Sequence, residues 1–280
     1  RSWIVEKVYA NGHLAMAIDT LAIEGAQSEI VQKFGPNDAA RVAELAELDK
    51  QIADPSRYVD TRFQLASDCY RSAILARGLE RPRAEVEARF EQAIRIADEL
   101  GKTQQALRIR YNYAWTQFWW FDELAKFLVL YDDVEERIEG TTHSSDVQHL
   151  YTLWSLATAC IRNGRLKSSD IDIEKKKRNL VSILQPLAMD TARPNNALEA
   201  KTYLTLMDVH EAMTDEAQVG IDDCWRALGE ILDASKSLGT YPVELLESVI
   251  DGFGSVVDSP EFDEVYTKLT EVIAQRRSDG

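Results

Sequence analysis

Several residue groups in this chain have types and spacings that suit chemistry. Asp132-Asp133-Val134-Glu135-Glu136 sets two carboxylates side by side and a third one helical turn on. That is the spacing with which an all-α synthase holds Mg²⁺, here through Asp132, Asp133 and Glu136. Such a site needs a facing helix bearing an Asn or Asp, a Ser or Thr, and a Glu. Asp222-Asp223 runs instead into Cys224-Trp225-Arg226, with no carboxylate one turn on. The run at 132–136 is therefore expected to be a solvated acidic face. His210-Glu211-Ala212-Met213-Thr214 opens like a zinc-protease helix, but the second imidazole needed at i+4 is replaced by Thr214. The histidines are His13, His143, His149 and His210, and each is expected at the surface or at a helix cap. No G-x-S-x-G, phosphate-binding loop or G-x-G-x-x-G occurs, and Asp251-Gly252-Phe253-Gly254 reads as a flexible or tightly packed helix segment. The expectation is a chain that is not an enzyme and carries no metal or cofactor.

Two further groups suit binding. Lys175-Lys176-Lys177-Arg178 follows Ser168-Ser169-Asp170, and Asp172 or Glu174 is placed to favour a helix N-terminus. The cations are expected to face water, with an RNA or phosphate contact as the alternative. The aromatic cluster Tyr111, Tyr113, Trp115, Phe118, Trp119, Trp120 and Phe121 is the densest feature of the chain. On one helix these rings cannot share a face: Trp115 and Trp119 align at i, i+4, whereas Tyr113 and Trp120 lie elsewhere. One or two are expected to reach a partner, as aromatics beside arginines do at binding hot spots. The expected partner-binding groove is Arg71, Asn112, Trp115, Trp119, Trp154 and Arg162. Arg71 and Arg110 are expected to pair with an acidic ligand, a peptide carboxylate or a neighbouring repeat's carboxylate.

The elements that must position these residues are helices. Apolar residues recur at helical spacing almost throughout, among Ala, Leu, Glu and Arg. Breakers at Gly35 to Asp38, Asp54 to Ser56, Gly78 to Pro82, Gly101, Gly140 to Ser145, Asn163-Gly164, Arg193 to Asn195, Gly239 to Pro242 and Ser259-Pro260 mark the ends. The spans between them predict about twelve helices: 3–33, 38–53, 57–77, 83–100, 103–119, 122–138, 145–163, 173–189, 196–213, 216–237, 242–257 and 260–277. Composition agrees with a globular chain: 280 residues, 45% hydrophobic and 28% charged. The net charge of −15 disfavours nucleic acid as a partner, and no apolar window is long enough for a membrane. The charge is uneven. Residues 201–280 hold 17 acids and 6 bases, a net of −11, while 57–110 hold 8 acids and 11 bases, a net of +3. Cys69, Cys160 and Cys224 are odd in number and far apart, so they predict buried apolar fillers in a reducing, cytoplasmic setting. The chain begins at Arg1 and is expected to be a segment of a longer protein.

The helices come in pairs that recur. Tyr70 aligns with Tyr111, Ala73 with Ala114, Phe90 with Tyr131 and Ala93 with Val134, all at an offset of 41 residues. A self-match at such a period is the signature of a helical solenoid. Val86, Phe90 and Ala93 form a second-helix pattern, Leu153, Leu156-Ala157 and Cys160 a first-helix pattern, and Asn163-Gly164-Arg165-Leu166 an interhelix turn. Phe121-Asp122-Glu123-Leu124 and Phe262-Asp263-Glu264-Val265 read as entries into second helices. On these residues the chain resembles the tetratricopeptide repeat family over roughly 57–277, with helices longer than that family's period of about 34 residues allows. The resemblance implies an all-α, right-handed solenoid of antiparallel pairs: about five repeats over 57–280, with an N-terminal helical region over 1–56 packed on them. It implies a non-enzymatic scaffold or sensor that binds a protein or peptide, which includes a domain of its own parent, as in the regulatory arms of signalling and defence proteins. The alternatives are the Mg²⁺-dependent synthase and an RNA-binding repeat using 57–110 and 165–178.

Overall fold

The computed structural model describes residues 38–101, 103–212, 220–253 and 259–279; the expected helix at 3–33, His13, the turn at Gly35 to Asn37 and Met213-Thr214 lie outside them. Among the described residues there are eleven α-helices, one 3-10 turn and no strand. The chain divides into two compact units, one of residues 32–139 and a second that holds 140–280.

In the first unit α1 is Asp38–Ile52, α2 Arg62–Gly78, α3 Arg83–Glu99, α4 Thr103–Trp119 and α5 Leu124–Ile138. Each packs on the next. The starts of α2 and α3 recur 41 residues later as the starts of α4 and α5, so the repeat read from four residue pairs is also a repeat of helix boundaries. Ala73, Ala114, Phe90, Tyr131, Ala93 and Val134 are all buried, and Tyr70 and Tyr111 are both half-buried. Arg62 at the start of α2 reaches Glu99 at the end of α3 (3.4 Å), so that pair runs antiparallel. Equivalent helices of successive pairs are tied side to side at nearly constant offset: Asp49 to Arg89, Ser67 to Gln105, Arg77 to Thr116, Arg83 to Glu123 and Asp98 to Arg137. Those ties span 38–40 residues, one repeat of chain. The Asp49–Arg89 tie gives α1 the place of a second helix in a preceding pair.

The predicted start of α2 at residue 57 is corrected to 62. Asp54 accepts from the Ser56 backbone N–H (3.1 Å) and starts a 3-10 turn at Pro55–Tyr58 instead. Buried Tyr58 then ties that turn to Asp68 on α2 (2.8 Å). α2 ends in a Schellman motif: Glu80 N–H donates to the Arg77 carbonyl and Arg81 N–H to the Ala76 carbonyl, both at 3.0 Å. The position that favours glycine is held by Glu80, at φ 53°. At the end of α6 the same bonds form around Gly164, at φ 69°.

In the second unit α6 is Ser144–Arg162, α7 Ile173–Ala188, α8 Pro194–Ala212, α9 Ile221–Ser235, α10 Glu244–Phe253 and α11 Pro260–Asp279. α8 packs on α6, α7 and α9, and α11 packs on α9 and α10. Residues 163–172 lengthen the link before α7. Ties between α6 and α8 accordingly span 52–55 residues: Ser144 to Asn196, Tyr151 to Tyr203 and Ser155 to His210. Asn196 accepts from the Ser144 N–H (2.8 Å), so a side chain on α8 satisfies a donor at the start of α6. Arg276 on α11 donates to the carbonyls of Tyr241 (2.5 Å) and Leu238 (3.1 Å), just past the end of α9. Phe262 to Val265 lie inside α11, which begins at Pro260, so that stretch is not the entry to a helix. Phe121 to Leu124 do enter α5. Asp251 to Phe253 close α10, and Gly254 lies outside the described residues.

Candidate functional site

The six residues expected to line one groove are placed in different surroundings. Arg71 on α2 is exposed and pairs with Glu44 on α1. Asn112 on α4 is half-buried, and its Nδ2 donates to the Arg108 carbonyl one turn back (2.9 Å). Trp115 and Trp119 are 3% and 9% exposed. Trp154 (3% exposed) and half-buried Arg162 belong to α6, in the second unit. The three tryptophans are therefore interior side chains of their own units. Seven consecutive residues of α4, Tyr113 to Trp119, are buried, because this helix packs on α3 and α5 and is tied to α2. A helix enclosed on several sides buries rings that point in several directions. Phe90 stacks on Tyr113 (5.0 Å between centroids), and Phe118 meets Trp119 edge to face (4.9 Å). Of the cluster, Tyr111, Trp120 and Phe121 keep partial exposure.

Arg77 is a functional candidate that the sequence reading passed over. It is 1% exposed, on the face of α2 that carries Ala66, Cys69, Ala73 and Ala76. Its Nη1 donates to Thr116 Oγ1 (2.9 Å), and the Thr116 hydroxyl in turn donates to the Asn112 carbonyl (2.6 Å). The guanidinium lies 4.2 Å from the Trp120 ring centroid and 5.5 Å from that of Trp115. Nε and Nη2 are buried with no hydrogen-bond partner. Burial pushes the group down to about 10, against a small opposing effect of Tyr70. The signal was an arginine four residues after Ala73, on a stripe otherwise made of small residues.

Arg110 shows the ordinary solution. It is equally enclosed, but it forks onto Asp98 (2.5 and 3.0 Å) and reaches Asp133 (2.5 Å). Burial lowers its pKa, and the two carboxylates more than reverse that, so the group ends above its ordinary value. Of the three partners open to Arg110 in the sequence, it takes the neighbouring helices' carboxylates. The same pairing engages Asp133 of the acidic run, which Arg137 also contacts (3.0 Å). Among the described residues no three His, Cys, Asp or Glu side chains gather as a metal site would require.

In the second unit α7 and α8 enclose an open cleft of about 620 Å³. Its apolar lining is Val181, Leu204 and Met207, and Glu174, Lys177, Arg178 and Asp208 supply charge. Lys177 pairs with Glu211. Burial raises the Asp208 carboxyl above the usual range, against the pull of Lys177. The basic run is thus partly a cleft wall. Asp172 caps the helix that carries it by accepting from the Lys175 N–H (2.9 Å), as its position in the sequence implied. His210 is corrected: it is 2% exposed, not a surface or cap residue, and lies 3.0 Å from Ser155 Oγ against the edge of Trp154. Cys69, Cys160 and Cys224 are free and buried. No described helix is long and apolar enough to cross a membrane.

No protein-family model, characterised protein or solved structure matches the chain. The functional reading therefore rests on the residues themselves.

Proposed function

We propose that this chain is a non-enzymatic helical-repeat module, a tetratricopeptide-like right-handed solenoid, that binds a protein or peptide segment. Its role would be that of a scaffold or sensor arm in a larger signalling or defence protein. The observation that carries the binding role is the α7–α8 cleft, which sets the apolar Val181, Leu204 and Met207 among the charged Glu174, Lys177, Arg178 and Asp208. That is the arrangement in which an apolar anchor of a peptide is desolvated while the rim charges set its register. The repeat of helix boundaries at 41 residues supports the solenoid, since stacked pairs bury a continuous core that no single pair can make.

Peptide-display selection on the immobilised full chain tests the reading. The wild type is expected to enrich a common apolar-anchor motif. A Val181→Glu, Leu204→Glu variant with unchanged helical circular dichroism is expected to lose it. Equal enrichment by both proteins removes the cleft from the binding role, and no enrichment by the wild type removes the role itself.

A further inference from the structure

The Arg77 guanidinium has a free edge of definite shape. Nε–H and Nη2–H lie side by side along one edge of the planar group, and these are the two atoms left without partners. Nη1, on the other edge, is taken by Thr116. Two parallel N–H groups on one edge match the two oxygens of a planar carboxylate, the fork geometry that makes arginine a carboxylate receptor. Trp120 and Trp115, 5.3 Å apart between centroids, cover the charge from one side, which excludes water and strengthens any ion pair the guanidinium makes. Arg110 on the next helix pair grips both oxygens of Asp98 through its other donor pair, Nη1 and Nη2, so the unit already uses a two-point arginine–carboxylate contact once. Trp120 keeps partial exposure over the Arg77 guanidinium, and half-buried Phe121 follows it, with Arg83 5.8 Å above its ring.

We propose that Arg77 is the receptor of a carboxylate-bearing ligand, whose two oxygens sit on Nε–H and Nη2–H beside the rings of Trp115 and Trp120. The site is in the first unit and the peptide cleft in the second, so the proposal stands or falls apart from the peptide-binding reading. A tetrahedral dianion is a poorer match, because a planar edge of two parallel N–H groups on a single positive charge suits two coplanar oxygens sharing a single negative charge.

Formate is the probe, added to the full chain against chloride at constant ionic strength. The Arg77 Nε–H signal, assigned through its own side-chain carbons by nuclear magnetic resonance, is expected to shift saturably. Tryptophan fluorescence is expected to follow with the same midpoint. Arg77→Lys keeps the charge and loses the fork, and is expected to weaken that midpoint at least tenfold. Sulfate is expected to give no saturation. An Nε–H signal that ignores formate or shows only contact with bound water overturns the proposal. So does a formate response of Arg77→Lys equal to that of wild type. The wild-type signal decides the matter even where a variant fails to fold.

Discussion

Arg77→Met removes a buried charge and keeps most of the side chain's length. The ionised head carries a cost from burial that pushes its pKa down to about 10, which at neutral pH is about 3 kcal/mol when each pKa step is worth about 1.4 kcal/mol. Against that stand one hydrogen bond to Thr116, about 1 kcal/mol, and the contact with two indole faces, about 2 kcal/mol when desolvated. The two sides nearly cancel. Thr116 is not orphaned by the change, because it still donates to the Asn112 carbonyl. Arg77→Met is therefore expected to fall within about 1 kcal/mol of wild type, as when buried ions are replaced by apolar groups of similar volume. Arg77→Ala also removes the packed stem and leaves a cavity, and is expected to cost about 2–5 kcal/mol. Urea unfolding followed by far-ultraviolet circular dichroism measures both. A loss of about 3 kcal/mol or more in Arg77→Met would refute the reasoning, since it would mean that the Nε–Nη2 edge is already paired with a group the substitution strands.

The two end turns make a second test. Glu80→Gly relieves a left-handed residue and is expected to stabilise by roughly 0.5–1 kcal/mol, while Gly164→Ala should cost about 1 kcal/mol; urea midpoints that move together would contradict the shared turn geometry. Alkaline pH makes a third. Burial first, then nearby Asp68, raises Tyr58 to about 12, and burial also raises Tyr113, Tyr131, Tyr203 and Tyr241 above their ordinary value. These folded pKa values exceed the unfolded one, so the native state holds more protons above pH 10. Stability is then complete below pH 10 and falls as pH rises beyond it. Tyrosinate absorbance should appear cooperatively with loss of helix, and gradual ionisation in a still-folded chain would contradict the burial of these rings.

Helix ends were legible because local chemistry sets them. The breakers at Gly78 to Pro82 and at Asn163-Gly164 both close Schellman turns, and Asp172 caps the helix that its position announced. The repeat was legible because its small and aromatic positions are the ones the packing uses. What each face meets was less so. The α4 aromatics looked too many for one core, but a helix with neighbours on several sides has more than one buried face, and Trp115 and Trp119 go into them. His210 was expected at the surface or a cap for the same reason: its partner, Ser155, is 55 residues away across a pair of helices whose spacing was lengthened by residues 163–172. Arg71 and Arg77 are alike as residue types. Their fates differ because 77 falls one turn beyond Ala73 and 71 does not, a distinction that the alanine stripe carried.

Most arginines of the stretch 57–110, with its net of +3, are already held in ion pairs. Arg62 faces Glu99, Arg71 faces Glu44, and Arg81 faces Glu85. Arg83 takes Glu87 and Glu123, Arg89 takes Asp49 and Glu85, and Arg110 takes Asp98 and Asp133. Several of those acids, Glu44, Asp49, Glu123 and Asp133, come from outside the stretch, so the local excess is balanced by the flanking helices. A phosphate backbone would have to displace these pairings to be neutralised, which weakens the counterion release that drives nonspecific nucleic-acid binding. Arg77 differs in kind from those six. It faces two tryptophan rings and a threonine, so a carboxylate ligand can claim its charge without breaking an existing ion pair.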